Sequence, residues 1–317
     1  MLEPPKTVFL DQNKWIDLAH AFEDPSANRE TYEIGCAMIE ALKAGQLQFP
    51  LTSGILIETY RMRNDDHRRL IAEVQARLSQ GRVFRNRDFL IRHEILRFFE
   101  QDDPSSISQI PPLWWMSRHF LEAFVDFQTA ISEMGLEAHQ VKGLLADPIL
   151  ALFDWVASAP SDEREMAIGH WEREAGRLIS QFDERRSRLK DESFSMQKRV
   201  YATTLAIEEQ DRIISVCLGS GRDWNQLTEN GPKILKDIIQ YVSTYQAEIA
   251  LACSIERLGR QIQLNDLRDM SSYVAVLPNS DVIIGEKLFV NLARQGGLGK
   301  RFGCELHTDL SSLKPFL

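Results

Sequence analysis

Apolar stretches of strand length lie near both ends of this 317-residue chain. Those near the amino end are TVFL (residues 7–10) and LQFPLT (47–52), and those near the carboxyl end are DVIIG (281–285) and FGCELHTDL (302–310). Between about residues 66 and 240 the apolar residues recur at helical spacing. Because the backbone groups of a strand must pair within a sheet, the sequence predicts one α/β parallel sheet, flanked by helices and formed from both chain ends.

The predicted domain boundaries follow from this pattern. Residues 1–65 and 245–317 form the predicted discontinuous α/β core, and residues 66–244 form a mostly helical insertion. A long insertion in place of a loop adds little closure entropy. Residues 101–112 and 220–232 are predicted loops, because they are rich in Pro, Ser, Gly and Asn.

Helical periodicity predicts several individual helices. The first begins at Lys14. The others cover residues 29–45, 53–81, 233–259, 265–278 and 286–295. The hydroxyl of Ser53 is the predicted N-cap of the third helix. A further packed helix face is predicted from five apolar residues at spacings of three and four: Ile168, Trp171, Ala175, Leu178 and Phe182.

Composition limits the classes of partner. The formal net charge of -9 argues against a uniformly basic nucleic-acid-binding surface, although a local basic groove is compatible with it. The four cysteines are far apart and lack the C-x-x-C spacing of zinc sites, so reduced thiols are expected. No apolar run reaches the length of about 20 residues needed to span a bilayer. We therefore expect a cytoplasmic protein without a membrane partner.

Four acidic residues are predicted to meet at one edge of the sheet. Asp11 follows the first strand, Glu58 lies one turn into the helix after the second, and Asp269 and Glu286 flank the third. Carboxylates at close range resist joint ionisation unless a counter-charge is present. A hard divalent cation such as Mg²⁺ prefers such oxygen ligands. The pattern therefore predicts a metal site suited to phosphodiester hydrolysis.

Each acid also has a purely structural interpretation. Asp11 could cap the helix that follows it, and Glu286 could stabilise the amino end of its own helix through the helix dipole. Asp269 and Asp266 could be surface carboxylates beside Arg268. The combination of four positions favours function over these explanations.

Three segments resemble the acidic motifs of PIN-domain nucleases. They are VFLDQNKWIDLA (8–19), LTSGILIETY (51–60) and NDLRDMSSYVAVLPNSDVIIGEKLFVNL (265–292), within about half of the chain. In that family an opening strand followed by Asp-x-Asn supplies the first acid, a helical Glu the second, and two late carboxylates the rest. The resemblance implies a PIN-like fold in which Asp11 and Glu58 bind metal.

The resemblance implies the same role for Asp269, and it implies that Asn13 holds the first acid or a water. The fourth acid departs from the family pattern, because Ile284, Gly285 and Glu286 stand where Thr-x-Asp is usual. Glu286 remains the candidate fourth metal ligand. Asp281, at the start of the same strand, is the alternative catalytic acid. Ser53 and Asn13 are the candidate substrate-positioning residues.

The predicted insertion contains basic and aromatic segments. Arginines in GRVFRNRDFLIRHEILR (81–97) and DERRSRLKDESFSMQKR (183–199) could bind phosphates, although solvated helix faces explain most of them. Trp114 and Trp115 could stack on unpaired bases, whereas core packing is the commoner role of large aromatic residues. At least one of the two is expected in the core.

The resemblance thus implies an endoribonuclease that uses Mg²⁺ or Mn²⁺ to hydrolyse single-stranded or structured RNA, with DNA as an open alternative. It also implies a toxin-like or defence role, for which an inhibitory partner protein and a homo-oligomer are candidate partners. A haloacid-dehalogenase-type phosphotransferase is disfavoured, because it needs a second aspartate where this chain has Asn13. The remaining alternative is a catalytically degenerate scaffold that mediates interactions.

Overall fold

The computed structural model describes residues 4–100, 113–225, 229 and 233–317. A four-stranded sheet organises the part formed by the two chain ends. Its strands are β1 (Lys6–Leu10), β2 (Leu47–Gln48), β5 (Val282–Ile284) and β6 (Glu305–His307). This confirms the predicted α/β sheet formed from both ends.

All pairs in this sheet are parallel, and the strand order is β2-β1-β5-β6. In the central pair Val8 lies opposite Val282 and Leu10 lies opposite Ile284. The paired residues Val8–Leu10 and Val282–Ile284 are all buried, which matches their unbroken apolar sequence. Their carboxyl ends meet at one edge, where Asp11 follows β1 and Glu286 closely follows β5.

The helices, in chain order, surround this sheet and fill the middle of the chain. The first eight are α1 (Gln12–Glu23), α2 (Arg29–Lys43), α3 (Ser53–Tyr60), α4 (Asp65–Ser79), α5 (Arg87–Glu100), α6 (Phe127–Met134), α7 (Ala138–Ala146) and α8 (Pro148–Ser158). The next eight are α9 (Ser161–Leu189), α10 (Phe194–Glu208), α11 (Gln210–Gly219), α12 (Lys233–Tyr241), α13 (Ser243–Glu256), α14 (Leu264–Val276), α15 (Lys287–Gln295) and α16 (Leu298–Phe302). Two 3₁₀ turns cover Phe120–Ala123 and Leu310–Phe316.

Two long predicted helices are each divided in the structure. The segment 53–81 breaks between α3 and α4, because Asn64 caps α4 by accepting a hydrogen bond from the His67 N–H at 2.9 Å. The segment 233–259 breaks at Val242, whose backbone is extended while its side chain is fully buried. Apolar periodicity continues through both breaks, so it could not reveal them.

The predicted helix starts also need correction. Helix α1 begins at Gln12 rather than Lys14, with Asp11 as its N-cap. The N-cap of α3 is Thr52, whose hydroxyl accepts from the Ile55 N–H at 3.3 Å, so Ser53 is not the cap. Helix α2 ends two residues before Gly45, which has a positive φ of 68° as a helix-ending glycine should.

The middle of the chain is not purely helical. A small antiparallel pair joins β3 (Val83–Phe84) to β4 (Met116–Ser117), and Val83 also forms a parallel bridge to Leu51. Buried residues from the predicted core and the predicted insertion form one continuous hydrophobic cluster. The two parts therefore share a core. The predicted loop at 101–112, and six residues of the loop at 220–232, lie outside the described residues.

The predicted face of α9 is only partly correct. Ala175 and Phe182 are buried, and Ile168 and Trp171 are half-buried, but Leu178 is 46% exposed. The helical spacing therefore found the packed side of α9 but wrongly included Leu178, which lies between the buried Ala175 and Phe182.

Candidate functional site

Asp11 lies where the amino ends of two helices meet. Its Oδ1 accepts a hydrogen bond from the Gln12 N–H at 2.8 Å, and its Oδ2 accepts one from the Glu286 N–H at 2.9 Å. Burial raises the pKa of Asp11, the two backbone donors lower it, and the charge of Glu286 raises it again. Asp11 is therefore both a helix cap and a neighbour of other acids, so the two interpretations from the sequence are compatible.

Glu58 and Asp269 face Asp11 from two other helices, α3 and α14. Burial is the main reason that the pKa of Glu58 rises to about 7; Arg268 opposes the shift, and Asp11 and Glu286 add to it. Burial also dominates the rise of the Asp269 pKa to about 8, with further contributions from Asp11, Glu58 and Glu286. The predicted gathering of acids is thus present, and we call Asp11, Glu58, Asp269 and Glu286 the acidic cluster.

Glu286 is the exposed member of the acidic cluster. It is the N-cap residue of α15, and its Oε1 accepts a hydrogen bond from the Asn13 Nδ2 at 2.5 Å. Both residues are open to solvent. Asn13 therefore holds the fourth acid, whereas the expectation from the sequence was that it would hold the first acid or a water.

Asp281 lies apart from the acidic cluster. Its Oδ2 accepts a hydrogen bond from the Thr7 N–H at 2.7 Å, near the start of β1. Asp11 lies four residue steps beyond Thr7 along an extended strand, which corresponds to about 13 Å. Asp281 therefore lies at the opposite edge of the sheet, where it pairs the first strand to β5.

Ser53 is the first residue of α3 and is half-buried. Its neighbour Thr52 contacts α14 through its Oγ1, 2.8 Å from the Ser272 Oγ. Gly54 packs against the same serine so closely that a Cβ there would lie 2.3 Å from the Ser272 Oγ. The start of α3 is thus fixed against the helix that carries Asp269, and Ser53 lies beside this contact.

Arg268 is a member of the site that sequence reasoning placed incorrectly. It is 5% exposed, and its Nη1 lies 2.6 Å from the Glu58 Oε1. Its guanidinium also donates to the Asn265 side chain and lies 5.4 Å from the ring centre of Trp171 in α9. Asp266 is also buried rather than at the surface, and it pairs with Arg260 instead of Arg268.

Tyr273 is a second residue that sequence reasoning missed. It lies one helical turn after Asp269, is 1% exposed, and its hydroxyl has no hydrogen-bond partner among the described residues. A Cβ at Gly285 would lie 1.8 Å from this hydroxyl, so the hydroxyl lies against the backbone that leads to Glu286. Burial raises the pKa of Tyr273 well above its ordinary value, and Asp11 and Asp269 add to this shift.

The acidic cluster is not a preformed metal site. Across the described ranges, no group of three or more His, Cys, Asp or Glu side chains is arranged to hold a metal ion. The donors match a hard cation, because all are carboxylate oxygens, and burial together with the neighbouring carboxylates raises the pKa values of Glu58 and Asp269. However, the carboxylate of Glu58 is already engaged by Arg268. Metal binding would require a local side-chain rearrangement.

The aromatic and basic residues of the middle segment have structural partners. Trp115 stacks on Phe84, and Trp114 stacks on His93; both tryptophans are half-buried against the hydrophobic core. The expectation that at least one tryptophan packs in the core is confirmed.

Several arginines of the two basic segments are also engaged. Arg87 pairs with Glu209 at 2.8 Å and with Glu248 at 2.7 Å, and Arg185 pairs with Glu256. These arginines stabilise helix packing, so they are not free for phosphates.

No family model, curated protein or solved structure matches this chain. None of the helices in the described part of the chain is long and apolar enough to cross a membrane.

Proposed function

We propose that this protein is a divalent-metal-dependent nuclease that hydrolyses RNA phosphodiester bonds at the acidic cluster. One observation carries the proposal: four carboxylates from four separated segments gather at the carboxyl edge of a parallel sheet, where neighbouring carboxylates help to raise the pKa values of Asp11, Glu58 and Asp269. Ligands of α/β proteins typically bind at this edge. The resemblance to PIN-domain nucleases supports the same chemistry.

The electrostatics explain why a cation suits this place. With a pKa of about 8, Asp269 is mostly protonated at neutral pH when no counter-charge is bound. A divalent cation would lower this pKa and release the proton, as metal binding to carboxylates generally does. The cluster can thus accept positive charge either as protons or as a metal ion.

Each residue of the acidic cluster, together with Asn13, would have a distinct role in binding the metal and the substrate. Asp11 is fixed by two backbone N–H groups, which leaves its oxygens little freedom. Asn13 orients Glu286 at the exposed side, where a polynucleotide can approach. Glu58 and Asp269 complete the proposed ligand set from the buried side. A bound Mg²⁺ or Mn²⁺ would supply an activated water and neutralise charge that develops on the phosphate.

RNA is the proposed substrate because of the family resemblance, and the chemistry at the cluster would act equally on DNA. A toxin-like or defence role, an inhibitory protein partner and self-association belong to the same resemblance. The acidic cluster would act on the phosphodiester group, which RNA and DNA share. A cleavage assay with both nucleic acids therefore decides which one is the substrate.

A catalytically degenerate scaffold is the second candidate function. The observation in its favour is that Arg268 neutralises Glu58 with an ion pair of 2.6 Å, so part of the cluster is balanced without a metal. Metal binding separates the two candidates. A scaffold should show no Mn²⁺ binding by calorimetry, whereas the nuclease should bind Mn²⁺ and release protons as it does so.

The deciding experiment is cleavage of end-labelled single-stranded RNA and DNA with Mn²⁺ or Mg²⁺. We expect cleavage by the unmodified protein and loss of cleavage with Asp269→Asn or with a chelator. Asp17→Asn is the matched control, because Asp17 is a half-exposed carboxylate of α1 whose ion pair with Lys14 spans 3.7 Å. If neither nucleic acid is cut and Mn²⁺ does not bind, the nuclease proposal is wrong.

A further inference from the structure

A groove with a volume of about 1100 Å³ lies away from the acidic cluster, between α10, α12, α13 and α16. Its floor is aliphatic: Ile239, Ile249, Ala250 and Leu298 line it and are buried. Ligand pockets typically measure about 300 to 1,000 Å³ and combine apolar walls with a few polar groups. The size and the floor therefore suit an apolar ligand.

The rim of the groove is strongly basic. Five cationic side chains line it: Lys198, Arg199, Lys233, Lys236 and Arg301. Among the described residues that line the groove there is no Asp or Glu, and none of the five cations forms an ion pair with a carboxylate of those parts of the chain that the structure describes. Arg87 and Arg185, by contrast, are paired with carboxylates. A rim of cations without a carboxylate counter-charge indicates an anionic ligand.

The groove is elongated along α10. Two residues from each turn of this helix face it, from Phe194 to Ile207, which spans about 20 Å at 1.5 Å per residue. Ala202 and Ala206 leave room at the centre, and Ile207 is 68% exposed at the end. An extended twelve-carbon chain is about 13 Å long at ~1.2 Å per bond. Such a chain and its head group fit within the groove.

Nucleic acid fits the groove poorly. Proteins hold unpaired bases by stacking them on aromatic side chains, but Phe194 is the one aromatic residue among the described residues that line the groove. The face of this ring is already covered by Lys198 at 4.5 Å and Arg257 at 5.1 Å. The aliphatic floor has no other feature that a base would require.

We propose that this groove binds a free anionic amphiphile, which is a long-chain aliphatic molecule with a carboxylate or phosphate head. The chain lies on the aliphatic floor, and the head group binds the cations of the rim. This site is independent of the acidic cluster and of the proposed nuclease activity.

The first test is calorimetric titration of the full chain with dodecyl phosphate below its micelle concentration. We expect binding at a one-to-one ratio. Decyl phosphate should bind about fifteenfold more weakly, because each buried methylene changes affinity about fourfold. Uncharged dodecanol should bind at least about tenfold more weakly, since it lacks the charge-assisted contacts. Affinity that does not depend on chain length would overturn the proposal.

Variants locate the site. The double substitution Arg199→Glu with Lys236→Glu should weaken dodecyl phosphate binding about tenfold or more, whereas Lys300→Glu should not, because Lys300 is an exposed cation outside the groove. Ala206→Trp should block binding, and Ala167→Trp on the exposed side of α9 should not. Unchanged affinity in the first and third variants would show that the amphiphile binds elsewhere.

Two further measurements test whether the groove binds a membrane surface or RNA instead of a free amphiphile. Anionic phosphatidylglycerol vesicles should not sediment the protein if the ligand is a free molecule. The Arg199→Glu and Lys236→Glu double variant should bind single-stranded RNA as the unmodified protein does. Binding to vesicles without binding to dodecyl phosphate, or a selective loss of RNA affinity, would overturn the proposal.

Discussion

Replacing Asp269 with asparagine should stabilise the metal-free protein at high pH. The pKa of Asp269 is about 8 in the folded protein, against an ordinary value of 3.8. The folded state therefore keeps a proton that the unfolded state has already released, so the free energy of unfolding falls as pH rises from about 4 to about 8. This penalty is absent below that range and complete above it.

The magnitude follows from the two pKa values. Their difference corresponds to a penalty on the order of 5 kcal/mol at pH 9. Asparagine keeps the shape but needs its own hydrogen-bond partners, which offsets part of the gain. We therefore expect Asp269→Asn to be about 2 to 4 kcal/mol more stable than the unmodified protein at pH 9, and nearly equal to it at pH 4.

Urea denaturation followed by circular dichroism, at pH 4, 7 and 9 with a chelator, measures this difference. Glu94 also has a raised pKa, so the comparison between variants, rather than the pH profile of one protein, isolates Asp269. Asp17→Asn should follow the unmodified protein at each pH. If Asp269→Asn is less stable at pH 9, Asp269 is not an uncompensated acid and the electrostatic argument fails.

Substitutions at three further residues test the surroundings of Asp269. Tyr273→Phe should raise the metal-free free energy of unfolding by about 1 kcal/mol in urea, because it removes a buried hydroxyl without a partner; a loss of stability would mean that the hydroxyl is bonded. Gly285→Ala should lower the melting temperature, since its Cβ would lie 1.8 Å from that hydroxyl, and Tyr273→Phe in the same chain should recover much of the loss because the next ring atom is 3.0 Å away. Arg268→Gln should lower the free energy of unfolding by about 3 kcal/mol at pH 8, because it leaves Glu58 buried without its counter-charge. Arg268→Lys should lower it less. Equal stability of the unmodified protein and the two Arg268 variants would contradict the ion pair.

The sequence revealed the sheet and the gathering of acids because both depend on local signals. An apolar run followed by a carboxylate marks the end of a parallel strand, and β1 and β5 have this form. The partners of those acids were not predictable in the same way. Glu58 and Arg268 are 210 residues apart, and only the packing of α3 against α14 brings them together.

The structure also differs from the sequence predictions at Asp281 and Tyr273. Order along the chain already opposed Asp281 as a cluster member, because Asp281 precedes its strand whereas Asp11 and Glu286 follow theirs. The hydrogen bond from the Thr7 N–H places it at the opposite edge of the parallel sheet. Tyr273 carried one available signal, its spacing of four residues from Asp269, which places both on one helix face. Its missing hydrogen-bond partner is a property of the folded interior alone.

The middle of the chain participates in the charge balance of the acidic cluster. Trp171 of α9 lies over the guanidinium of Arg268, and Arg268 is in turn the counter-charge of Glu58. Arg61, just beyond α3, pairs with Glu172 of α9 at 2.9 Å. Helix α9 thus supports the arginine that a divalent cation would have to displace from Glu58. The affinity of the proposed cation site should therefore depend on how firmly α9 holds Arg268.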